Sequence, residues 1–357
     1  MDVRQAFAKL LREIEIHESD SKKVKREKRE RLHSFLKEHM PTPLYRYRKL
    51  KYDKEAFING YISTSKPCTF EEFDSQIEID KREVLTTVHN GFPPFEDLYT
   101  WICSGKKIPS SPLKNFPWRV QIVVKLGLWV MKNGAHFKEN LRCAHRDVKK
   151  DINRQINTMR DNEIDDELRY RRYIACFCEK IDVYDMWKGY ANFDGFALEY
   201  DFTLNIPDEH VLFPVIYGEK YNATRLAITS MINLLPSILL RRFPIQPFWN
   251  IFFNWPNFFK KEKLLRFFDE LFYLKGYAYK KDEFKKEQEW RLLSPETHKS
   301  SDKRSFVPYN PVAIYFCDTM EKVAFDELNQ IAKDKGLKRY RAILDESKKT
   351  VTIEPLS

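Results

Sequence analysis

Three short groups of residues, far apart along the chain, carry side chains suited to one piece of chemistry. Arg46 and Arg48 alternate with Tyr45 and Tyr47 in Leu44-Tyr-Arg-Tyr-Arg48, and Ser63 and Ser65 share one face of Tyr61-Ile-Ser-Thr-Ser65. Glu287 and Glu289 flank a glutamine in Glu287-Gln-Glu-Trp-Arg291. Residues two apart on extended backbone project to the same side, so each pair can face one cleft. Guanidinium groups grip phosphate or carboxylate through forked, charge-assisted hydrogen bonds that lysine reproduces poorly. A carboxylate gains strength beside a sugar carbon that turns oxocarbenium-like, and hydroxyls fix the sugar itself. The set suits cleavage of a glycosidic bond next to an anionic group.

Taken in order with Met186-Trp-Lys-Gly-Tyr-Ala191 and Gly195-Phe-Ala-Leu-Glu-Tyr-Asp201, these segments resemble the bacterial family called domain of unknown function 2971, from about Leu44 to the C-terminus. The family's usual Phe-Asn-Asp-Pro-Phe-Asp segment is here Thr69-Phe-Glu-Glu-Phe-Asp74, in which only Phe73 and Asp74 retain it. The order of arginine, Ser-Thr-Ser and Glu-x-Glu is also similar to that of arginine–serine–glutamate ADP-ribosyltransferases. This second resemblance implies NAD as the substrate. Arg46, or alternatively Arg48, would hold its pyrophosphate or ribose-phosphate end, and Ser63 or Ser65 its nicotinamide ribose. Glu289 would contact the ribose hydroxyl, while Glu287 would orient or deprotonate an acceptor. That acceptor is a protein side chain, a nucleic-acid base or water.

Trp187, Tyr190 and Glu199 belong to the family-like segments and join the candidate cofactor-binding residues. Core packing accounts equally well for the aromatics. A carboxylate inside Phe-Ala-Leu-Glu-Tyr must face solvent or pair, with Arg46, Arg48 or Arg291 as the expected partners. The family resemblance implies an effector or toxin of bacterial phage defence acting by abortive infection. The alternative is a non-catalytic nucleic-acid- or protein-binding module, with Arg46, Arg48 and a basic N-terminal arm gripping phosphate.

The expected fold class is α+β: an ADP-ribosyltransferase-like split β-sheet core with large helical insertions and an N-terminal helical arm. Residues 1–40 form the arm, with Val3, Phe7, Leu10, Leu11 and Ile14 on one helical face. Its second helix carries seven basic and two acidic residues between Lys22 and Arg31, which most simply makes a solvated surface. Residues 41–357 form the α+β domain, with helical insertions at about 82–172 and 222–283. Strands are expected over Leu44–Arg48, Tyr61–Ser65, Tyr173–Cys178, Gly195–Phe202, Leu212–Tyr217 and Val312–Cys317, and near Arg339–Leu344 and Thr350–Glu354. Short helices are expected at Asp53–Ile58 and Val183–Ala191, Asn59-Gly60 caps the first, and a longer helix runs from Met320 to Lys335. The 17 residues from Arg46 to Ser63 match the compact opening unit of the resembled fold. The more than 200 residues from Ser65 to Glu287 require the insertions.

Other chemistries fall away. The 357 residues include only ten glycines, with neither a Gly-x-Gly-x-x-Gly nor a phosphate-binding Gly-Lys-Ser/Thr loop. Six scattered cysteines lack zinc-ligand spacing, so no metal site is expected, and His145-Arg-Asp147 lacks the rest of a kinase. The uncharged stretch Leu226–Leu240 is too short to span a bilayer and contains Pro236. The start of the chain lacks a signal-like apolar run, so a cytoplasmic protein with reduced thiols is expected. The net charge of +10 favours anionic partners, although 52 acidic residues are interspersed among 62 basic ones.

Overall fold

The computed structural model describes residues 2–14, 22–70, 76–90, 94–104, 136–158, 168–170, 172–203, 206, 210–225, 227–228, 270–294 and 302–356. The apolar segment 118–131 and the aromatic block 248–259 lie outside these residues. Residues 1–76, 165–220 and 273–357 form one compact unit, and residues 77–164 and 221–272 form a second.

In chain order, the first unit begins with helices α1 (Val3–Glu13) and α2 (Lys22–His39), strand β1 (Leu44–Arg48), helix α3 (Leu50–Ile58) and strand β2 (Tyr61–Ser65). The second unit contains β3 (Ile77–Glu78), α4 (Lys81–Asn90), α5 (Phe95–Ser104) and α6 (Phe137–Thr158). The chain returns to the first with β4 (Ile174–Cys178), α7 (Tyr184–Tyr190), β5 (Phe196–Tyr200), β6 (Val211–Pro214) and β7 (Ile216–Tyr217), and β8 (Tyr221–Asn222) lies again in the second. Then come α8 (Glu270–Ala278), β9 (Tyr279–Lys280), β10 (Glu289–Leu293), β11 (Arg304–Pro308) and β12 (Ala313–Cys317). Helix α9 (Lys322–Asp334) and strands β13 (Lys338–Asp345) and β14 (Thr350–Pro355) end the chain.

The protein is α+β, built on a large and mostly antiparallel sheet in the first unit. Its strand order is β11-β2-β4-β1-β5-β12-β13-β14, with β10 also pairing β4 and β6. The parallel pair in this sheet is β12 with β13, and α9 supplies the crossover that a parallel pair requires.

Period-two alternation sorts the sheet residues into two faces. Leu44, Phe177, Phe196, Leu198, Trp290, Leu292, Ile314 and Phe316 form one core with Phe57 of α3 and Ala324, Leu328 and Ala332 of α9. Tyr47, Cys178, Ala197, Tyr315, Cys317 and Ala342 form the other, under Met186 and Trp187 of α7. Helix α1, capped by the Asp2 carboxylate at Arg4 N, buries Phe7, Leu10 and Leu11, and Phe7 lies 6.4 Å from Phe213 on β6. In α2, Leu32 and Leu36 are buried, whereas the Lys23 and Arg26 side chains stay solvated beside Glu27 and Glu30 one turn on.

Within the second unit, Val84 and Val88 of α4 pack with Val148, Ile152 and Ile156 of α6. The four-residue spacing puts each set on one helical stripe. His145-Arg-Asp147 lies inside α6 as one turn of this helix.

The feature that shapes the candidate site is a split in the large sheet. Strand β10 pairs with all of β4, from Glu289 opposite Cys178 to Leu293 opposite Ile174. On the other edge of β4, β1 joins only through Tyr45 at Cys178, and β2 only through Ser65 at Ile174. The two strands diverge between these points, around Cys176. Helix α3 connects them and ends at Gly60, whose φ of +70° suits a residue without Cβ.

Candidate active site at the split of the sheet

Two separate polar groups flank β4 at this split. The first bridges β1 and β2. Arg46 Nη2 donates to Ser63 O at 2.5 Å, and Arg48 Nη2 lies 2.9 Å from Asp53 Oδ1 and also donates to Ser63 Oγ. Ser63 Oγ donates in turn to Asp53 Oδ1 at 2.7 Å. Strand alternation puts Arg46 and Arg48 on the face of Leu44, and the Arg46 guanidinium stands 5.5 Å from the centre of the Phe177 ring.

This group is unbalanced. Among the described residues, the two guanidiniums have one carboxylate nearby, Asp53, and Arg46 is only 6% exposed. Burial, reinforced by the like charge of Arg48, pulls the Arg46 pKa down to about 9. Arg48 is lowered by burial as well, with Asp53 opposing. Arg46 Nε is buried and has no hydrogen-bond acceptor among the described residues. A buried donor and a surplus buried charge are both costly unless an anion meets them.

The second group surrounds Glu-x-Glu on the opposite face of β10, the face that holds Cys176 and Cys178 of β4. Arg291 grips Glu289 with a fork, Nε to Oε1 at 2.8 Å and Nη2 to Oε2 at 3.3 Å. Lys280 Nζ donates to Glu289 Oε2 at 3.0 Å and to Glu287 Oε2 at 2.6 Å. Tyr190 Oη donates to Glu287 Oε1 at 3.1 Å, and Glu289 N donates to Tyr217 Oη at 2.7 Å. Two cations here face two carboxylates, so the charges balance.

The two carboxylates respond in opposite directions. Burial drives Glu289 up, but Arg291 and Lys280 outweigh it and hold this carboxyl well below the usual range. Burial drives Glu287 up and prevails over Lys280, so Glu287 lies above its ordinary value. Glu287 therefore has the carboxyl better suited to exchanging a proton near neutrality.

Cys176 interacts with members of both groups. Its thiol is hydrogen bonded to Glu289, and it lies within electrostatic reach of both Arg46 and Arg48. Burial, followed by the charge of Glu289, pushes this thiol up to about 12, which keeps it protonated and unreactive.

The structure thus brings together Arg46, Arg48 and Ser63, and separately Glu287, Glu289 and Tyr190. Ser65 is half-buried at the end of β2, where it pairs with Ile174 and Arg304. Trp187 is fully buried, gives its indole N–H to Ile181 O at 2.8 Å and meets Tyr47 edge-on, so it packs the core. Glu199 takes a hydrogen bond from Tyr315 Oη at 2.5 Å and pairs with none of the three arginines expected for it. Alternation explains this: Glu199 lies opposite Tyr45, on the other face of β1 from Arg46 and Arg48.

Asp53, Lys280, Tyr217 and Cys176 escape the sequence reading. Arg291 is legible as a partner of Glu289 from the two-residue spacing on a strand. Among the described residues no three carboxylate, histidine or cysteine side chains group as metal ligands, and no helix is long and apolar enough to cross a membrane. Comparison of the chain with protein-family models, with curated proteins and with solved structures finds no match.

Proposed function

We propose that the opening between β1 and β2 takes the pyrophosphate of NAD, and that the chain uses NAD in the manner of the ADP-ribosyltransferases it resembles. The observation that carries this reading is that, among the described residues, buried Arg46 and half-buried Arg48 share one carboxylate and Arg46 Nε has no acceptor. A pyrophosphate brings the missing negative charge and an acceptor for that N–H. Glu-x-Glu, whose Glu289 is hydrogen bonded to Cys176, supplies the carboxylates.

In the proposed reaction the bond from the nicotinamide nitrogen to the ribose carbon breaks, and nicotinamide leaves with the electron pair. The positive charge that develops on the ribose is stabilised by the ionised Glu289, which Arg291 and Lys280 hold in place. Water or an acceptor side chain then bonds to the ribose carbon and passes its proton to Glu287, the carboxyl raised by burial. On this reading the split sheet serves as the transferase-like core and the second unit as its helical insertion. An effector or toxin role in phage defence follows from the family-like segments alone, and growth arrest on expression tests it.

The direct test is release of nicotinamide from NAD by the purified chain, with NAD binding followed by calorimetry. Arg46→Gln is expected to weaken NAD binding by roughly 10- to 100-fold, the size of a lost charge-assisted contact. Absence of both binding and release sinks the reading. The nucleic-acid alternative rests on the solvated basic face of α2. It requires RNA or DNA affinity that falls steeply with salt, with no nicotinamide released.

A further inference from the structure

On the side away from the split, β2 pairs with β11, the outer strand of the large sheet. Phe306 of β11 lies opposite Ser63, and Arg304 lies opposite Ser65. Directly opposed residues project to the same side, about 5 Å apart. Phe306 therefore stands one strand spacing from Ser63, whose Oγ accepts a hydrogen bond from Arg48. Tyr61 lies two residues before Ser63 on the same face, and its ring centre is 6.2 Å from that of Phe306.

These two rings are open to solvent. Phe306 is 55% exposed and Tyr61 40%, whereas Val307 and Ile62, which point to the other face, are buried in the core. Polar side chains at the two open positions would serve the sheet as well, and bare aromatic surface on an edge strand invites aggregation. Arg304 shares the face of the rings, is exposed, and lies near enough to Arg48 for its charge to depress the Arg48 pKa. Open rings beside clustered cations suit a flat base joined to phosphate, because every base has a π-face and the cations meet the phosphate.

Resting on the NAD reading above, we propose that Tyr61 and Phe306 form the stacking surface for the adenine ring of the dinucleotide whose pyrophosphate Arg46 and Arg48 hold. One ribose joins that ring to the pyrophosphate, and one strand spacing joins Phe306 to the serine that Arg48 touches. The register also fixes which way the ligand runs. Ser65 lies opposite Ile174 on β4, and Cys178, four residues on, lies opposite Glu289, so Phe306, Ser63 and Glu289 project to one side. Three strand spacings separate β11 from β10, about 14 Å, the length of an extended dinucleotide. The adenosine end thus lies out along β11, and the nicotinamide ribose extends across β4 toward Glu289.

The test is calorimetric titration of the full chain with NAD, ADP, inorganic pyrophosphate and a single-stranded DNA oligonucleotide. Wild type, Phe306→Leu and Tyr61→Thr are compared, and their melting temperatures are recorded. Leucine keeps an apolar side chain and threonine keeps the strand preference, while each removes a ring. Each variant is expected to bind NAD and ADP about 5- to 30-fold more weakly, the lower part of the range for one base stacked on one ring. Pyrophosphate affinity is expected to stay within twofold of wild type, with little change in melting temperature. NAD and ADP affinities that stay within twofold of wild type in both variants overturn the assignment while NAD binding itself persists. An equal fall for pyrophosphate overturns it too, since the rings would then only support the arginine pair. Loss of oligonucleotide binding in the variants with NAD affinity unchanged gives the surface to nucleic acid and likewise overturns it. Failure of wild type to bind NAD at all overturns the underlying reading and this assignment with it.

Discussion

Glu199 and Glu289 stand in one row across the sheet. Glu199 lies opposite Tyr45, Tyr45 opposite Cys178, and Cys178 opposite Glu289. Three strand spacings separate them by about 14 Å, beyond the reach of two carboxyls for one sugar ring. The two glutamates therefore serve different surroundings although both face the same way. Glu289 is saturated by Arg291 and Lys280, whereas Glu199 rests on the hydroxyl of Tyr315, whose ring lies near those of Tyr45 and Tyr340.

Tyr315→Phe removes that hydroxyl and leaves the Glu199 carboxylate on an aromatic surface. A loss of about 1–2 kcal/mol in urea unfolding is expected, toward the lower part of the range for an acceptor deprived of its donor, because Glu199 keeps some solvent. NAD affinity should stay within twofold of wild type. A large drop in affinity would place Glu199 back in the ligand site.

Asp53→Asn keeps the shape at the arginine pair and removes its one carboxylate. Buried Arg46 and half-buried Arg48 are then left without a carboxylate among the described residues, which costs up to about 3–5 kcal/mol, the range for a fully buried pair broken from one side. Because an added anion restores the missing charge, pyrophosphate should raise the melting temperature of Asp53→Asn more than that of wild type. An equal rise in both proteins would argue against an anion site at the split.

The sequence made β1, β2, β4 and β12 legible because their alternation or apolar runs are strong, and Gly60 was legible as a helix end. Strand β11 was not expected. Arg304-Ser-Phe-Val-Pro308 pairs with β2, but its side chains are mostly exposed and it ends in proline, so no apolar period marks it. Arg48 and Ser63, both singled out in the sequence, are joined by a hydrogen bond, a contact that their order along the chain does not itself encode. Asp53 was missed because a carboxylate in the first turn of a helix reads as solvated until the turn is seen packed behind a strand. Lys280 reaches Glu287 and Glu289 through tertiary placement of β9, which no local spacing encodes.

Gly195 marks the close approach of β5 to β1. A Cβ at this position would lie 2.0 Å from Arg48 O and 2.7 Å from Ala191 O, and backbone atoms cannot step aside as a flexible side chain can. Gly195→Ala should cost about 1–3 kcal/mol in urea unfolding, the usual range for overpacking. Because the displaced strand carries Arg48, anion affinity should fall along with stability. Unchanged stability would mean that β5 has room to move away from β1.

Glu289 and Glu287 should leave opposite signatures in the pH dependence of stability. For Glu289 the folded carboxyl lies below its unfolded value of about 4.3, since Arg291 and Lys280 overcome burial. Its contribution is complete above that value and is lost as pH falls below it. Glu289→Gln should therefore be less stable than wild type by about 3–5 kcal/mol at pH 7, with the gap beginning to narrow as pH falls below about 5 and still narrowing at the lowest pH measured, because the folded carboxyl titrates well below its unfolded value. For Glu287 burial raises the folded value, so its contribution is present at low pH and lost as pH rises through that raised value. Glu287→Gln should gain on wild type with rising pH while losing nicotinamide release. Urea unfolding of the three proteins across pH 3–8 checks both signs. A gap for Glu289→Gln that stays constant with pH would mean that its carboxylate is not held by Arg291 and Lys280, and the balanced group beside the split would lose its basis.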